Sequence, residues 1–232
     1  MTESMQPTAV VTGVSKGLGR ALAGALADRG WHVIGDARNP GPLAAELPGV
    51  TVLAGDVTDP AHRAEIAAAV RAAGRLDLLV NNASELGPSP LPSLADYPLD
   101  ALRRVYETDV LAPIALIQAL LPALRAARGT VLDISSDAAV EAYPYWGGYG
   151  PAKAALDHVS AVLAAEEPEL AVYAVDPGDM RTDMHQAAFP GEDISDRPEP
   201  ETVVPALLRL LDLRPPSGRY HAADLARAEV LS

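Results

Sequence analysis

The 232-residue chain has no cysteine, one phenylalanine and two tryptophans. Without cysteine it can form no disulfide, thiolate metal site or cysteine nucleophile. The five histidines, His32, His62, His158, His185 and His221, are scattered with no HExxH-like pair, so no metal site is expected. Positive charge is also scarce. A net charge of −13 argues against nucleic acid and against anionic membrane surfaces. No apolar run reads as long enough to span a bilayer. The opening MTESMQPT lacks the charged and apolar regions of a signal peptide, so a cytoplasmic location is expected. Nearly half of the residues (49%) are hydrophobic but only 4% are aromatic, which leaves Ala, Leu and Val to build the core. Lysine is scarcer still. Of 18 basic residues only Lys16 and Lys153 are lysine, and each sits inside a motif.

Short apolar runs alternate with helical periodicity along the chain. Strands are expected at 8–12, 31–35, 50–54, 76–80, 129–135, 170–175 and 218–222. Helices are expected at 17–29, 60–73, 99–126 (bent at Pro113), 149–166 and 201–212. Asp59-Pro60 reads as a cap followed by a proline in the first helical turn. This alternation implies an α/β fold: a Rossmann-like, doubly wound parallel sheet of about seven strands with helices on both faces. One domain is expected over 8–232, after a flexible segment of seven residues. Residues 183–200, rich in Pro and acid, read as a mobile excursion that could act as a lid. Ligands of such sheets bind beyond the carboxyl ends of the strands.

TGVSKGLG (12–19) follows the first strand and opens the first helix. Gly13 permits a tight turn, Gly17 lets the backbone approach a phosphate, and Gly19 lets the helix pack closely. The helix N-terminus then faces a pyrophosphate. There is no GK[ST] ending of a nucleotide triphosphatase loop. The GxxxGxG spacing resembles that of the short-chain dehydrogenase/reductase family, and further motifs match along almost the whole chain. NNAS (81–84) is similar to the family's NNAG, with Ser84 in place of glycine. Ser136 lies thirteen residues before Tyr149, YGPAK matches YxxxK, and DPGDMRT (176–182) resembles PGxxxT.

The resemblance implies a nicotinamide dinucleotide cofactor and a catalytic set of Ser136, Tyr149 and Lys153. It places Gly13, Ser15, Lys16, Gly17, Leu18 and Gly19 around the phosphates, and Asp56 and Val57 at the adenine. Asn82, Ala83, Pro177, Gly178, Met180 and Thr182 fall toward the nicotinamide, with Tyr149 and Lys153, while Asn81 steadies the central sheet. Residues i and i+4 share a helix face, so Tyr149 and Lys153 point the same way. An ammonium beside a phenol of pKa about 10 favours the phenolate. Arginine, a planar fork, does not replace lysine there.

The family's fourth catalytic residue is an asparagine in the long helix, where YETDVLAP places Asp109. Ionised near Lys153, it would oppose a tyrosinate. Either it is a relay member with a shifted pH dependence, or the chain binds cofactor and reacts slowly. The intact Ser136, Tyr149 and Lys153 favour the first.

In NAD-preferring relatives an acid binds the ribose 2′-hydroxyl at the position held here by Ala37. Asp36 is one residue early, and alternation aims it to the other side. Lys16 and Arg38 could clamp a 2′-phosphate, so NADP(H) is preferred and NAD(H) is possible. The expected reaction is hydride transfer to or from a carbonyl or alcohol of a small molecule. A non-catalytic NADP(H)-binding regulator and an epimerase or dehydratase are the alternatives. Candidate pocket walls are Ser84, Glu85 and Leu86, then Tyr143, Tyr145 and Trp146, then Met184, His185 and Phe189. A homodimer or homotetramer is expected through the two long helices, as is common in the family.

Overall fold

Seven short runs rich in Val, Leu and Ala form one parallel sheet in the order β3-β2-β1-β4-β5-β6-β7, as seen in a computed structural model. The structure describes residues 6–227; the first five residues of the expected flexible segment, and 228–232, lie outside them. The strands are β1 (Thr8–Val11), β2 (His32–Ala37), β3 (Val50–Ala54), β4 (Leu78–Asn81), β5 (Thr130–Ile134), β6 (Ala171–Asp176) and β7 (Gly218–His221). The chain reverses its direction of travel across the sheet between β1 and β4, and this opens a crevice at the carboxyl ends.

Alternating side chains of the central strands feed two cores. Ala9 and Val11 pack with Leu18, Leu22 and Leu26 of α1 (Gly17–Asp28) and with Leu207 and Leu210 of α8 (Val204–Leu213). Val10 faces the other way, onto Ile66 and Val70 of α3 (Pro60–Ala73) and Leu116, Leu120 and Leu124 of α5 (Ala112–Ala127). Asp59 caps α3 as expected, accepting from the Ala61 N–H at 2.9 Å. Three short helices were not anticipated: α2 (Leu43–Glu46), α9 (Ala222–Arg227) and one inside the 183–200 excursion. The 183–200 excursion contains α7 (Asp183–Ala188) and a buried Ile194.

The helix expected over 99–126 is present as one continuous helical stretch, Leu99–Ala127, in which a π-helical turn at Glu107–Leu111 joins α4 (Leu99–Tyr106) to α5. Pro113 explains the wide turn. It has no N–H to donate to the carbonyl four residues back, which belongs to Asp109. The stretch Leu99–Ala127 is, by length and composition, long and apolar enough to cross a membrane, contrary to the sequence reading. The fold uses its apolar face otherwise, since Leu116, Ile117, Leu120 and Leu124 are buried against the sheet.

α6 (Tyr149–Glu166) carries Tyr149 and Lys153 in its first two turns and aims both at the crevice. At the other side of the crevice, a Cβ on Gly19 would lie 2.3 Å from Asn82 Nδ2 and 2.5 Å from the Gly13 carbonyl oxygen. Gly19 therefore seats α1 against the end of β4 and the glycine loop. Gly19→Ala is expected to cost about 1–3 kcal/mol in urea unfolding, with loss of cofactor binding in the same preparation.

Candidate active site

The carboxyl ends of β1, β2, β4, β5 and β6 surround a cleft of about 630 Å³. Every predicted site residue lines it except Gly19 and Asp109, which lie behind its wall. Gly13 (φ 72°) and Gly17 (φ 59°) hold left-handed backbone that other residues adopt at a cost. Asn82 ties the loop to β4, donating from Nδ2 to the Thr12 carbonyl at 2.8 Å, while Thr12 Oγ1 accepts from the N–H groups of Asn82 and Ala83. No side chain caps the start of α1, so its first N–H groups remain available to an anion. A Cβ on Gly17 would meet only Thr182 Cγ2, at 3.6 Å, which leaves open approach over the loop. These features fit a dinucleotide pyrophosphate.

Asp36 borders the cleft, but both of its carboxyl oxygens are engaged inside the protein. It is 3% exposed and accepts from the Gly13 N–H at 2.7 Å. Its other oxygen is 3.2 Å from Nε2 of His62, also 3% exposed. Burial pushes the Asp36 carboxyl up, against the pull of the Gly13 N–H and of His62. Ala37 ends β2 and Arg38 follows it, exposed at the cleft. Asp56, which also lines the cleft, accepts from the Thr58 N–H at 2.9 Å and hydroxyl at 2.8 Å. Burial works against its charge, but these bonds and Arg38 hold its carboxyl below the usual range. Lys16 reaches across to Asp183 at 2.8 Å, joining the glycine loop to α7.

Opposite lie the catalytic candidates. Lys153 is 2% exposed. Its Nζ donates to the Ile134 carbonyl at 2.9 Å, stands 5.4 Å from the Tyr149 ring centroid and lies 3.7 Å from Asp109 Oδ2. Burial opposes its charge, but Tyr149, Asp109, Asp133 and Asp157 outweigh that and raise its pKa. The Tyr149 pKa is raised as well. Burial dominates, and Lys153 pulls the value down only in part, with a smaller downward pull from hydrogen bonding with the Ser84 hydroxyl. The sequence reading weighed the ammonium alone and so expected the opposite sign.

Ser136 caps a short 3-10 turn, accepting from the Ala138 N–H at 3.1 Å and donating to Asp137 Oδ1 at 2.9 Å. Asp137, absent from the sequence reading, also accepts from the Tyr143 hydroxyl at 3.0 Å. Arg219 on β7 donates to the Ser136 carbonyl at 2.8 Å and fixes this turn from behind. Thr182 caps α7 by accepting from the His185 N–H at 3.1 Å, which leaves its O–H free to donate. Ser84, Glu85, Leu86, Trp146, Met184 and His185 line the outer cleft. Tyr143 and Tyr145 are instead exposed, and Phe189 packs at a tilt against Trp146 and His185. Asn81 donates to Asp133 Oδ1 at 2.7 Å and Ser160 to Oδ2 at 2.6 Å, so Asn81 steadies the sheet through a carboxyl that no motif marks.

The comparisons with known proteins agree with this geometry. The family model for short chain dehydrogenases matches residues 7–193. An oxidoreductase of Saccharomyces cerevisiae is 35% identical over 182 residues, covering 75% of this chain and 71% of its own. Among solved structures, a short chain dehydrogenase from Pseudomonas syringae superposes with a TM-score of 0.86 at 29% identity, over 96% of this chain and 97% of its own. One from Shigella flexneri, complexed with NADP, gives 0.84 at 28% identity, over 96% and 100%.

Asp133 yields a pH prediction. It is fully buried, and burial pushes its pKa to about 6 against the pull of Ser160, Asn81 and Lys153. The folded state therefore binds a proton that the unfolded state, with an ordinary aspartate pKa near 3.9, releases earlier. Stability contributed by this group falls as pH rises from about 4 to 6 and is flat above, by roughly 1–3 kcal/mol. Urea unfolding at pH 4.5 and 7.5 should show this decline in the wild type and not in Asp133→Asn.

Proposed function

The chain belongs to the short-chain dehydrogenase family, and from that premise we propose that it is an NADP(H)-dependent reductase of a small carbonyl compound. Oxidation of the matching alcohol is the reverse of the same reaction. One observation carries the reading: Ser136, Tyr149 and Lys153 converge on the same cleft as the glycine loop, at the carboxyl ends of parallel strands.

A nicotinamide cofactor, held by the glycine loop and the residues after β4 and β6, would supply the hydride for the carbonyl carbon. Tyr149 gives its phenolic proton to the carbonyl oxygen. Lys153 stabilises the phenolate that results and offers its remaining N–H groups to the ribose. The Ser136 hydroxyl turns from Asp137 to donate to the same carbonyl oxygen. Asp109, behind Lys153, is the relay member of the set. On the cofactor side, Gly13 to Gly19 receive the pyrophosphate, and Asp56 and Val57 border the adenine. Asn82, Ala83, Pro177, Gly178, Met180 and Thr182 border the nicotinamide. The NADP(H) preference rests on the absence of an acid at Ala37 and on exposed Arg38, with Lys16 able to leave Asp183 for a 2′-phosphate; Lys16 and Arg38 both line the cleft.

Residues 183–200 are the proposed lid, with α7 joined to the glycine loop through Lys16 and Asp183. Exposed Leu99, Leu111 and Val162, on and beside the long helices, support a homodimer or homotetramer. A second reading, cofactor binding without turnover, draws on the commitment of the Ser136 proton to Asp137.

The test is consumption of NADPH and NADH against a panel of aldehydes, ketones and quinones. Tyr149→Phe should lower kcat by about 100-fold or more with little change in cofactor affinity. Arg38→Asp should cut the preference for NADPH over NADH by roughly tenfold or more. Tight NADPH binding with no turnover of any carbonyl would favour the second reading, and an unchanged preference would remove the clamp.

A further inference from the structure

Asp36 clasps two consecutive amides of the glycine loop. Its Oδ1 accepts from the Gly13 N–H at 2.7 Å, and its backbone carbonyl accepts from the Val14 N–H at 2.9 Å. The preceding residue, Gly35, seats Val14: a Cβ there would lie 2.7 Å from Val14 Cγ2. The end of β2 therefore sets where the loop turns toward α1. Asp36 is buried, and a carboxylate at that depth needs a donor on each oxygen. Among the described residues, His62 Nε2 is the side-chain nitrogen that reaches Oδ2, at 3.2 Å. With a carboxylate beside it, that nitrogen carries the hydrogen. Two N–H groups on one carboxyl favour its charged form, against the burial that opposes it.

His62 also touches the second cofactor segment. It sits in the first turn of α3, behind the cleft wall rather than in it. Its ring lies against Gly55: a Cβ there would be 2.1 Å from His62 Nδ1 and 2.3 Å from Cγ, so the glycine is what leaves room for the imidazole. Gly55 donates its N–H to the Ala37 carbonyl at 3.1 Å and leads into Asp56 and Val57, and all three line the cleft. Nδ1 is buried with no hydrogen-bond partner among the described residues; the Glu65 carboxylate, on an exposed side chain, is 3.6 Å away. The nitrogen that is used is the one on Asp36. The ring is thus wedged between the anchor of the glycine loop and the segment proposed to border the adenine.

We propose that His62 is a positioning residue for the dinucleotide: its Nε2–H holds the Asp36 carboxylate on the Gly13 amide, and its ring supports Gly55 beneath the adenine segment. The proposal rests on the reading of this cleft as the dinucleotide site. Without the imidazole N–H, Oδ2 would be buried with no donor, and Asp36 would take up a proton there. Its bond to the Gly13 N–H would then join two neutral groups and be roughly half as strong. The loop that receives the pyrophosphate loosens, while Ser136, Tyr149 and Lys153 keep their places. NADPH and NADH share the pyrophosphate and the adenine, so both lose affinity alike. The role is therefore separate from the cofactor choice assigned to Arg38.

Dissociation constants for NADPH and NADH, measured by nucleotide fluorescence, test this without a carbonyl substrate. His62→Asn, whose amide is too short to reach Oδ2, should weaken both by about tenfold. His62→Gln, whose Nε2 reaches further, should recover most of the wild-type affinity. In ¹⁵N-labelled protein without cofactor, the Gly13 amide proton should resonate downfield in the wild type, move upfield in His62→Asn and return in His62→Gln. Lower stability of His62→Asn in urea, with both dissociation constants and the Gly13 resonance at wild-type values, would make His62 a packing residue and overturn the proposal. Equal weakening in His62→Asn and His62→Gln would overturn it too. Asp36→Asn keeps an acceptor for the Gly13 N–H and removes the charge, so it decides the matter if His62→Asn does not fold. It should weaken both dinucleotides to a similar extent, and unchanged affinity would overturn the proposal. Wild-type protein that binds neither dinucleotide would overturn the cofactor reading and this proposal together; wild-type binding with unmoved variants would overturn this proposal alone.

Discussion

A buried ammonium organises this molecule. Lys153 is almost wholly removed from water, and a charge so placed is tolerated only with close partners. Those partners come from several elements: the Ile134 carbonyl at the end of β5, Asp109 in the π-helical turn, and more distantly Asp133 on β5 and Asp157 on α6. Asp133 is tied in turn to Asn81 on β4 and Ser160 on α6. One cation therefore couples the centre of the sheet to the helix that carries Tyr149. The scarcity of lysine in the chain reflects how specific this demand is. A compact ammonium fits between a carbonyl and a carboxylate where a guanidinium fork does not.

The same economy governs the cofactor side. The chain is strongly acidic, with a net charge of −13, and the cleft mixes both signs: Lys16 pairs with Asp183 and Arg181 with Glu199, while Arg38 stands exposed near Asp56. The glycine loop is held from below by Asp36, which spends its carboxylate on the Gly13 N–H and on His62. That placement keeps an acid on β2 while committing both of its oxygens inside the protein.

Much of this was legible in the chain because it is local. Strand runs, the glycine loop and the Tyr149/Lys153 spacing are written in consecutive residues, and all appear where their patterns place them. The parts that were not legible depend on pairing across the sheet. The parallel register of β4 and β5 sets Asn81 opposite Asp133, and nothing near either residue announces it. Asp36 on β2 meets His62 on α3, and Ser84 after β4 meets Asp109 in the π-helical turn, only once those helices are packed on the sheet. Pro113 was visible, but the π-helical turn it sets beside Asp109 was not. The sign of the Tyr149 shift was missed for a similar reason: spacing reveals the neighbouring charge and not the burial that outweighs it.

The most direct measurement is equilibrium unfolding of Lys153→Met against wild type as a function of pH. If the ammonium is what allows buried carboxylates to stay charged, the variant should be less stable by about 3 kcal/mol or more above pH 8. That gap should narrow as pH falls and Asp109 and Asp133 take up protons, since neutral carboxyls no longer need the cation. A gap that stays constant from pH 5 to 8.5 would contradict the account and make Lys153 a packing residue rather than the charge on which the site is built.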